Sequence, residues 1–272
     1  MDRTVRYGEE ARRRARVFEP APDSLPDRIG ARDGGRHPLR VAFLVWLAGF
    51  VVLAAVIIGL GLLLTHFFAP EGLGRIDDAV SQWFVARRTP TLDTVTRIGS
   101  DMGSTGVIIG VAVVAGIVLA IGRHWRQLAF LASALLLEFT VFLLATLVID
   151  RPRPTVKHLD VAPPTSSYPS GHTAASIALY VGLAIIIWSL VRSPVIRTLA
   201  WILAIALPVF VGLSRLYRGM HHMTDVLASV VLGAGALAIA LLVVRASVAS
   251  RERRTDDRTP ERIDAPRAEV TS

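Results

Sequence analysis

There is no cysteine in the chain. Disulfides and thiolate metal sites are therefore excluded, and the absence says nothing about compartment. Lysine is almost as rare: of the 30 basic residues only Lys157 is a lysine. Charge itself is missing over long stretches. No Asp, Glu, Lys or Arg occurs in 41–70, 102–122, 161–191 or 226–244. Crossing a bilayer core takes roughly 20 apolar residues, so each stretch reads as a segment able to enter lipid. At 52% hydrophobic residues, the chain is too apolar for an ordinary soluble domain of its length. No internal repeat is visible. A cleavable leader is not expected, because the first apolar run starts about 40 residues in and exceeds the ~7–15 residues of a signal-peptide core.

What remains is an all-α fold: a polytopic membrane protein with six transmembrane helices, at about 42–66, 105–122, 127–149, 172–191, 198–214 and 225–245. Charge layout orients it. Residues 1–40 hold ten Arg, the stretch from Arg245 onward holds seven, and the connections 123–126 and 192–197 hold two each. Placing both termini in the cytoplasm puts 21 basic residues inside and nine outside, the bias that membrane insertion follows. The expected organisation is a disordered cytoplasmic tail over 1–40, a six-helix domain in the cell membrane over 41–246, and a second disordered cytoplasmic tail over 247–272. Both tails mix Arg with many Asp and Glu and few aromatics. They read as solvated segments, and no nucleic-acid partner is expected.

Two segments between spans carry local signals. After the first span, Ile76, Val80, Trp83 and Phe84 recur at helical spacing and predict an amphipathic helix in the membrane interface, ended by Pro90. Leu92, Val95 and Ile98 predict a further turn or two. The segment 150–171 contains Pro152, Pro154, Pro163, Pro164 and Pro169, which favour extended chain over helix. A long irregular loop at the membrane surface is a candidate site.

Three polar clusters fall at span ends on the external face. They are Asp150-Arg151-Pro152-Arg153-Pro154, then Tyr168-Pro169-Ser170-Gly171-His172, then Ser214-Arg215 with His221 and Asp225. Arginine forks bind phosphoryl oxygens bidentately and stay charged. Ser170 and Gly171 open a helix, where backbone N–H groups favour an anion, and Gly171 permits close approach. His221 and Asp225 are one helical turn apart, so Asp225 is expected to accept the proton of one imidazole nitrogen and free the other to attack. His172, on another helix, can act as general acid. No carboxylate cluster is present to hold Mg²⁺ or Zn²⁺, so neither metal nor cofactor is expected. Taken singly, each cluster has a plain reading: a snorkelling anchor, a turn with an N-cap, a chance His/Asp pair. Together they make a complete phosphoryl-transfer set.

Arg153-Pro154, Pro169-Ser170-Gly171-His172 and Ser214-Arg215…His221…Asp225 resemble the three-part signature of the type 2 phosphatidic acid phosphatase superfamily. The resemblance covers roughly residues 40–246. It implies a metal-independent membrane phosphatase acting on a lipid phosphate or diphosphate at the external face. His221 would form a phosphohistidine, Asp225 would orient it and His172 would donate the proton. Arg153, Ser170, Gly171 and Arg215 would cradle the phosphoryl oxygens. Undecaprenyl diphosphate, phosphatidate and phosphatidylglycerophosphate are the candidate substrates. One position departs from the pattern: the family has a Lys seven residues before the first motif's Arg, and here it is Thr146. Arg151 or Lys157 is a candidate to supply the charge, or nothing does. A vanadate-binding peroxidase and a non-catalytic lipid-phosphate binder or transporter are the rival readings. Among the remaining residues, His222 reads as a rim residue and His158 as a loop residue. Glu138 lies mid-span, eight residues or about 12 Å along the helix from Thr146. It is expected to make an interhelical contact rather than take part in catalysis.

Overall fold

The computed structural model describes residues 16–32 and 37–256. Among these residues all regular structure is helical. In chain order the helices are α1 (Leu25–Arg32), α2 (Pro38–Leu63), α3 (Gly74–Val85), α4 (Pro90–Met102), α5 (Thr105–Ile121), α6 (Trp125–Val148), α7 (Gly171–Leu190), α8 (Pro194–Tyr217) and α9 (Met223–Asp256). Leu64–Leu73 continues α2 as a π-helical stretch, and α7 contains π-helical turns at Ile177–Val181.

Five of these segments are long and apolar enough to cross a membrane, and a sixth is obtained if α4 and α5, bent by 47°, are taken together. Alone, α5 has 17 residues, about 26 Å of helix against a hydrocarbon core of about 30 Å. This is a multi-pass membrane protein, and its side chains are arranged accordingly. Large apolar residues such as Phe43, Val52, Val114, Leu136, Leu199 and Ile205 are exposed on the outside of the bundle. Within it pack small and polar residues together with large apolar ones such as Phe130, Leu137 and Leu232.

The connecting helices show the same inversion. In α3 the buried residues are Asp77 and Ser81, while Ile76 and Trp83 are half exposed. In α4 the buried residues are Thr96, Gly99 and Ser100, while Leu92, Val95 and Ile98 are exposed. Each helix turns its small polar stripe into the protein and its apolar stripe outward, as a helix in contact with lipid should. Pro90 does not end the first of these helices. The first stops at Val85 and Pro90 opens the second, where its missing N–H is no loss. Thr89 caps that start, its Oγ1 accepting from Leu92 N at 3.2 Å. The predicted turn or two is a 13-residue helix.

The expected tail boundaries also shift. Part of the first tail is ordered: Phe18 packs edge-on against Phe130 at 5.3 Å, Arg245 Nε donates to the Val17 carbonyl at 2.8 Å, and α1 lies along α9. An apolar pair and a backbone carbonyl were enough to dock a segment whose composition looks disordered. The second expected tail begins as helix, since α9 runs on to Asp256. Residues 1–15, 33–36 and 257–272 lie outside the described residues.

Candidate active site

The loop between α6 and α7 is tied down along its length. Tyr168 is wholly buried, with its hydroxyl donating to the Ile57 carbonyl at 2.8 Å, and the Tyr168–Pro169 peptide is cis. Ser166 Oγ accepts from Arg151 N and Tyr168 N, and Ser167 N donates to the Arg151 carbonyl. Further along, Leu159 N donates to the Arg218 carbonyl, and Arg88 Nη1 donates to the Lys157 carbonyl at 2.7 Å. These bonds satisfy the backbone of an irregular segment that could not otherwise be buried.

The loop closes over a cavity of about 770 Å³. At one end stand Arg153, Gly171, His172, Arg215 and His221, so the structure brings residues of all three sequence clusters together. Gly171 has a packing reason to be glycine: a β-carbon there would come 2.8 Å from the Phe142 ring. The first N–H groups of α7 have no intrahelical carbonyl to bond, and two of the residues that carry them, Gly171 and His172, line the cavity. Arg153 is held by carbonyls, its Nη1 donating to Met220 O at 2.7 Å. Burial moves its guanidinium below the ordinary arginine range, against the pull of Asp225. Arg215 Nη1 donates to Ser100 Oγ at 2.7 Å and to Asp160 Oδ2 at 2.9 Å. Both guanidiniums keep a buried Nε with no acceptor among the described residues.

His221 Nδ1 lies 2.7 Å from the Ser167 carbonyl. A carbonyl only accepts, so Nδ1 carries the proton and the lone pair is on Nε2. Burial, then Arg215 and Arg153, lower the His221 pKa well below the ordinary histidine value, and the ring is neutral at neutral pH. Asp225 is not the acceptor that its spacing predicts. It stands 3.9 Å from Nδ1 because its two oxygens are engaged elsewhere. One pairs with Arg151 Nη1, and the other accepts from His222 N at 2.9 Å.

Arg151 is likewise not a spare phosphate ligand. It is buried between Asp225 and Asp77, with Nη2 2.8 Å from Asp77 Oδ2 and Nη1 2.8 Å from Thr224 Oγ1. Asp77 also accepts from Thr224 Oγ1 at 2.6 Å. Ser170 is fully buried with its Oγ against Thr173 Oγ1 at 3.0 Å, behind the cavity wall rather than on it. Thr146 turns its hydroxyl back to the Leu143 carbonyl, and Lys157 is exposed; neither lines the cavity. His222 is buried rather than at a rim, its Nε2 3.2 Å from Pro152 O. His158 Nε2 bonds within the loop, to Pro154 O.

Sequence reasoning missed Asp77, Ser100, Asp160 and Arg218. Asp160 accepts from Arg218 Nη2 at 2.7 Å and Nε at 2.8 Å, besides Arg215. Burial opposes its charge, but the Arg218 and Arg215 pairings win and hold its carboxyl below the usual range. A second carboxylate in a loop that also holds Arg151, Arg153 and Lys157, and Asp77 and Ser81 one turn apart in an amphipathic helix, were the available signals.

The other end of the cavity is apolar. Ile108, Ile109 and Ala112 of α5 face Leu135, Leu136, Phe139 and Phe142 of α6. Ile109, Leu136 and Phe139 are at the same time more than half exposed on the outside of the bundle. The cavity therefore opens sideways between α5 and α6.

The PAP2 superfamily profile matches residues 126–249, a range containing every member of the set His172, Arg153, Arg215, His221 and Asp225. Phosphatidylglycerophosphatase B of Bacillus subtilis (strain 168) is 30% identical over 165 residues, 58% of this chain and 77% of that one. The chain belongs to the PAP2 superfamily. A crystal structure of a transmembrane PAP2-type phosphatidylglycerolphosphate phosphatase from Bacillus subtilis matches with a TM-score of 0.58 at 25% identity, covering 73% of this chain and 93% of that one. The fold described above is thus that of a membrane PAP2 protein, and α3 and α4 lie outside the segment matched by the profile.

Proposed function

We propose that this PAP2 protein is a membrane phosphatase that releases phosphate from a lipid phosphate through a phosphohistidine on His221. The observation that carries the reading is the two-part cavity. Two arginines, a helix start and two histidines line one end, and an apolar slot open to the side lines the other. A lipid phosphate has the same two parts, an anionic head and a tail that stays in the bilayer. The guanidiniums of Arg153 and Arg215, which line that end, are the groups an oxyanion would pair with.

The chemistry follows from the hydrogen bonds. The Nε2 lone pair of His221 attacks phosphorus in line, and the bond to the lipid oxygen breaks. His172 gives its proton to that oxygen, so the lipid leaves as a neutral alcohol. The ring becomes cationic, and the Ser167 carbonyl on Nδ1, with the Asp225 carboxylate behind it at 3.9 Å, stabilises that charge. Water then attacks the phosphoenzyme with His172 taking its proton, and inorganic phosphate departs. Two guanidiniums and the helix start neutralise the transferring group, so the reading includes independence from divalent metal. Charge asymmetry supports a site on the outer face. The names of the two relatives favour phosphatidylglycerophosphate as substrate, ahead of phosphatidate and undecaprenyl diphosphate.

Phosphate release from these three lipids by the purified protein tests the proposal. Turnover should survive EDTA and fall by about 10³-fold or more in His221→Ala. An acid-labile, base-stable phosphoenzyme should form in wild type alone. His221 must be neutral to attack and its pKa is depressed, so the acid limb of kcat/KM should lie below the ordinary histidine value of about 6.5. Vanadate binding without phosphate release from any lipid would mean a binding protein instead.

A further inference from the structure

Of the three carboxyl groups that line the cavity, Asp101, Glu138 and Asp160, Asp101 is exposed and Asp160 is paired, and the buried Glu138 takes no part in this chemistry. Glu138 of α6 is 4% exposed, lines the cavity, and makes no hydrogen bond or ion pair among the described residues. An interhelical hydrogen bond from it is therefore not found among those residues. A carboxyl in a membrane span is costly in either protonation state unless a partner bonds it. Leu135 and Phe139 of its own helix and Ile108 and Ile109 of α5 line the same cavity, and with no partner among the described residues the carboxyl is left to bond what enters that cavity.

Its depth indicates which part of a substrate it meets. Phe142 lies one turn further along α6 and packs against Gly171, where a β-carbon would be 2.8 Å from the ring. Phe142 therefore marks the level of His172 and the helix start. Four residues of helix rise about 6 Å, and helical side chains lean toward their own N-terminus. The Glu138 carboxyl is thus about 6 Å or slightly more below the phosphoryl end, toward the apolar slot. Ala175, one turn into α7, lines the cavity at the same depth and leaves room there. Thr146, from which sequence spacing measured the depth of Glu138, is off the cavity, so the carboxyl is nearer the reacting end than that spacing implied.

We infer that Glu138 is a specificity-determining residue that accepts a hydrogen bond from a hydroxyl or amino group carried by the lipid substrate a few bonds beyond the scissile oxygen. The inference rests on the phosphatase reading above. A glycerol hydroxyl next to the phosphate-bearing carbon has the required reach. A plain hydrocarbon chain at that depth offers no donor, and a second phosphate there would meet a carboxyl.

The test compares 1-acylglycerol 3-phosphate with its 2-deoxy analogue bearing the same acyl chain, two substrates that differ by one hydroxyl. Wild type should prefer the hydroxylated lipid by about tenfold or more in kcat/KM, the discrimination expected of a buried acceptor. Glu138→Leu should bring the ratio near one by slowing only the hydroxylated substrate, with vanadate affinity unchanged because the phosphoryl end is untouched. Glu138→Gln, nearly isosteric and still an acceptor, should keep part of the preference, and it decides the matter should the Leu variant fail to fold. An unchanged ratio in both variants, or an equal fall for both substrates, overturns the inference while leaving the phosphatase reading intact. Release of phosphate from neither lipid by wild type would instead remove the phosphatase reading and the inference with it.

Discussion

The two ends of the bundle use arginine differently. At the end that carries the cavity, Arg151, Arg215 and Arg218 are each about 95% buried, and each meets a carboxylate: Asp77 and Asp225 for the first, Asp160 for the other two. At the opposite end Arg123 and Arg192 are exposed, and Arg126 approaches Glu19 only to 3.8 Å with both side chains largely in the open. Arg197 is buried at that end too, and the Trp188 ring and carbonyl are among its partners. An arginine at the end of a span is an anchor when it is exposed and part of the built interior when it is buried against a carboxylate. Burying a guanidinium costs several kcal/mol unless geometry and pairing offset it. The contrast also sharpens the orientation argument, because several of the nine basic residues at the site end are neutralised inside the protein.

Arg151→Ala should break the comparison most severely. It leaves the carboxylates of Asp77 and Asp225 buried without their cation, a loss expected at about 3–5 kcal/mol. The variant should lose monodispersity in detergent at a much lower temperature than wild type. Activity should fall with it, because Asp225 and the start of α9 position His221. Arg151→Lys cannot reach both carboxylates at once and should recover only part of the stability. Wild-type stability in Arg151→Ala would mean that the buried network holds nothing together.

How much of this was legible beforehand depends on what each residue's signal encodes. The spans were legible because a bilayer demands long uncharged runs, and the site end was legible because Pro169-Ser170-Gly171-His172 and His221 with Asp225 announce themselves by spacing. The partners were not. Spacing alone pairs His221 with Asp225, yet the imidazole bonds the Ser167 carbonyl, and a backbone carbonyl leaves no trace in residue identity. Arg151 and Arg153 are two apart and look interchangeable, and an alternating extended chain would put them on one side, yet they go to different places. One enters the Asp77–Asp225 network and the other lines the cavity. Asp77 lies on the polar face of a helix expected in the membrane interface, and helical spacing does not say that this face packs on protein rather than on water.

Asp160→Asn should have a smaller effect and of the opposite sign for binding. Asp160 accepts from both Arg215 and Arg218, so one carboxylate offsets two guanidiniums at the wall of the phosphoryl pocket. Its pKa is held below the usual carboxylate range by those pairings against the effect of burial, so it is ionised throughout the pH range in which the protein would work. Removing the charge frees more of the Arg215 field for an incoming anion. Vanadate should bind several-fold tighter, roughly 1 kcal/mol, while the loop loses a tether and thermal stability falls modestly. Weaker vanadate binding would show that Asp160 acts mainly by holding Arg215 in place.

Arg126→Ala should do least. Its contact with Glu19 is long and both partners are 39–45% exposed. Exposed pairs of this kind contribute about 0–1 kcal/mol, screened further by salt. Stability and turnover should both stay near wild type, which is the outcome that separates an anchor from the buried arginines of the site end. In the orientation proposed from the charge layout, the remaining role of Arg126 is as one of the charges of the cytoplasmic end. Many other basic residues share that role, so orientation should not change either. A single cysteine at Lys157, in a chain that has none of its own, reports this directly. It should react with a membrane-impermeant thiol reagent in intact cells, in wild-type and Arg126→Ala backgrounds alike. Labelling only after the cells are opened would reverse the orientation and put the cavity on the cytoplasmic side.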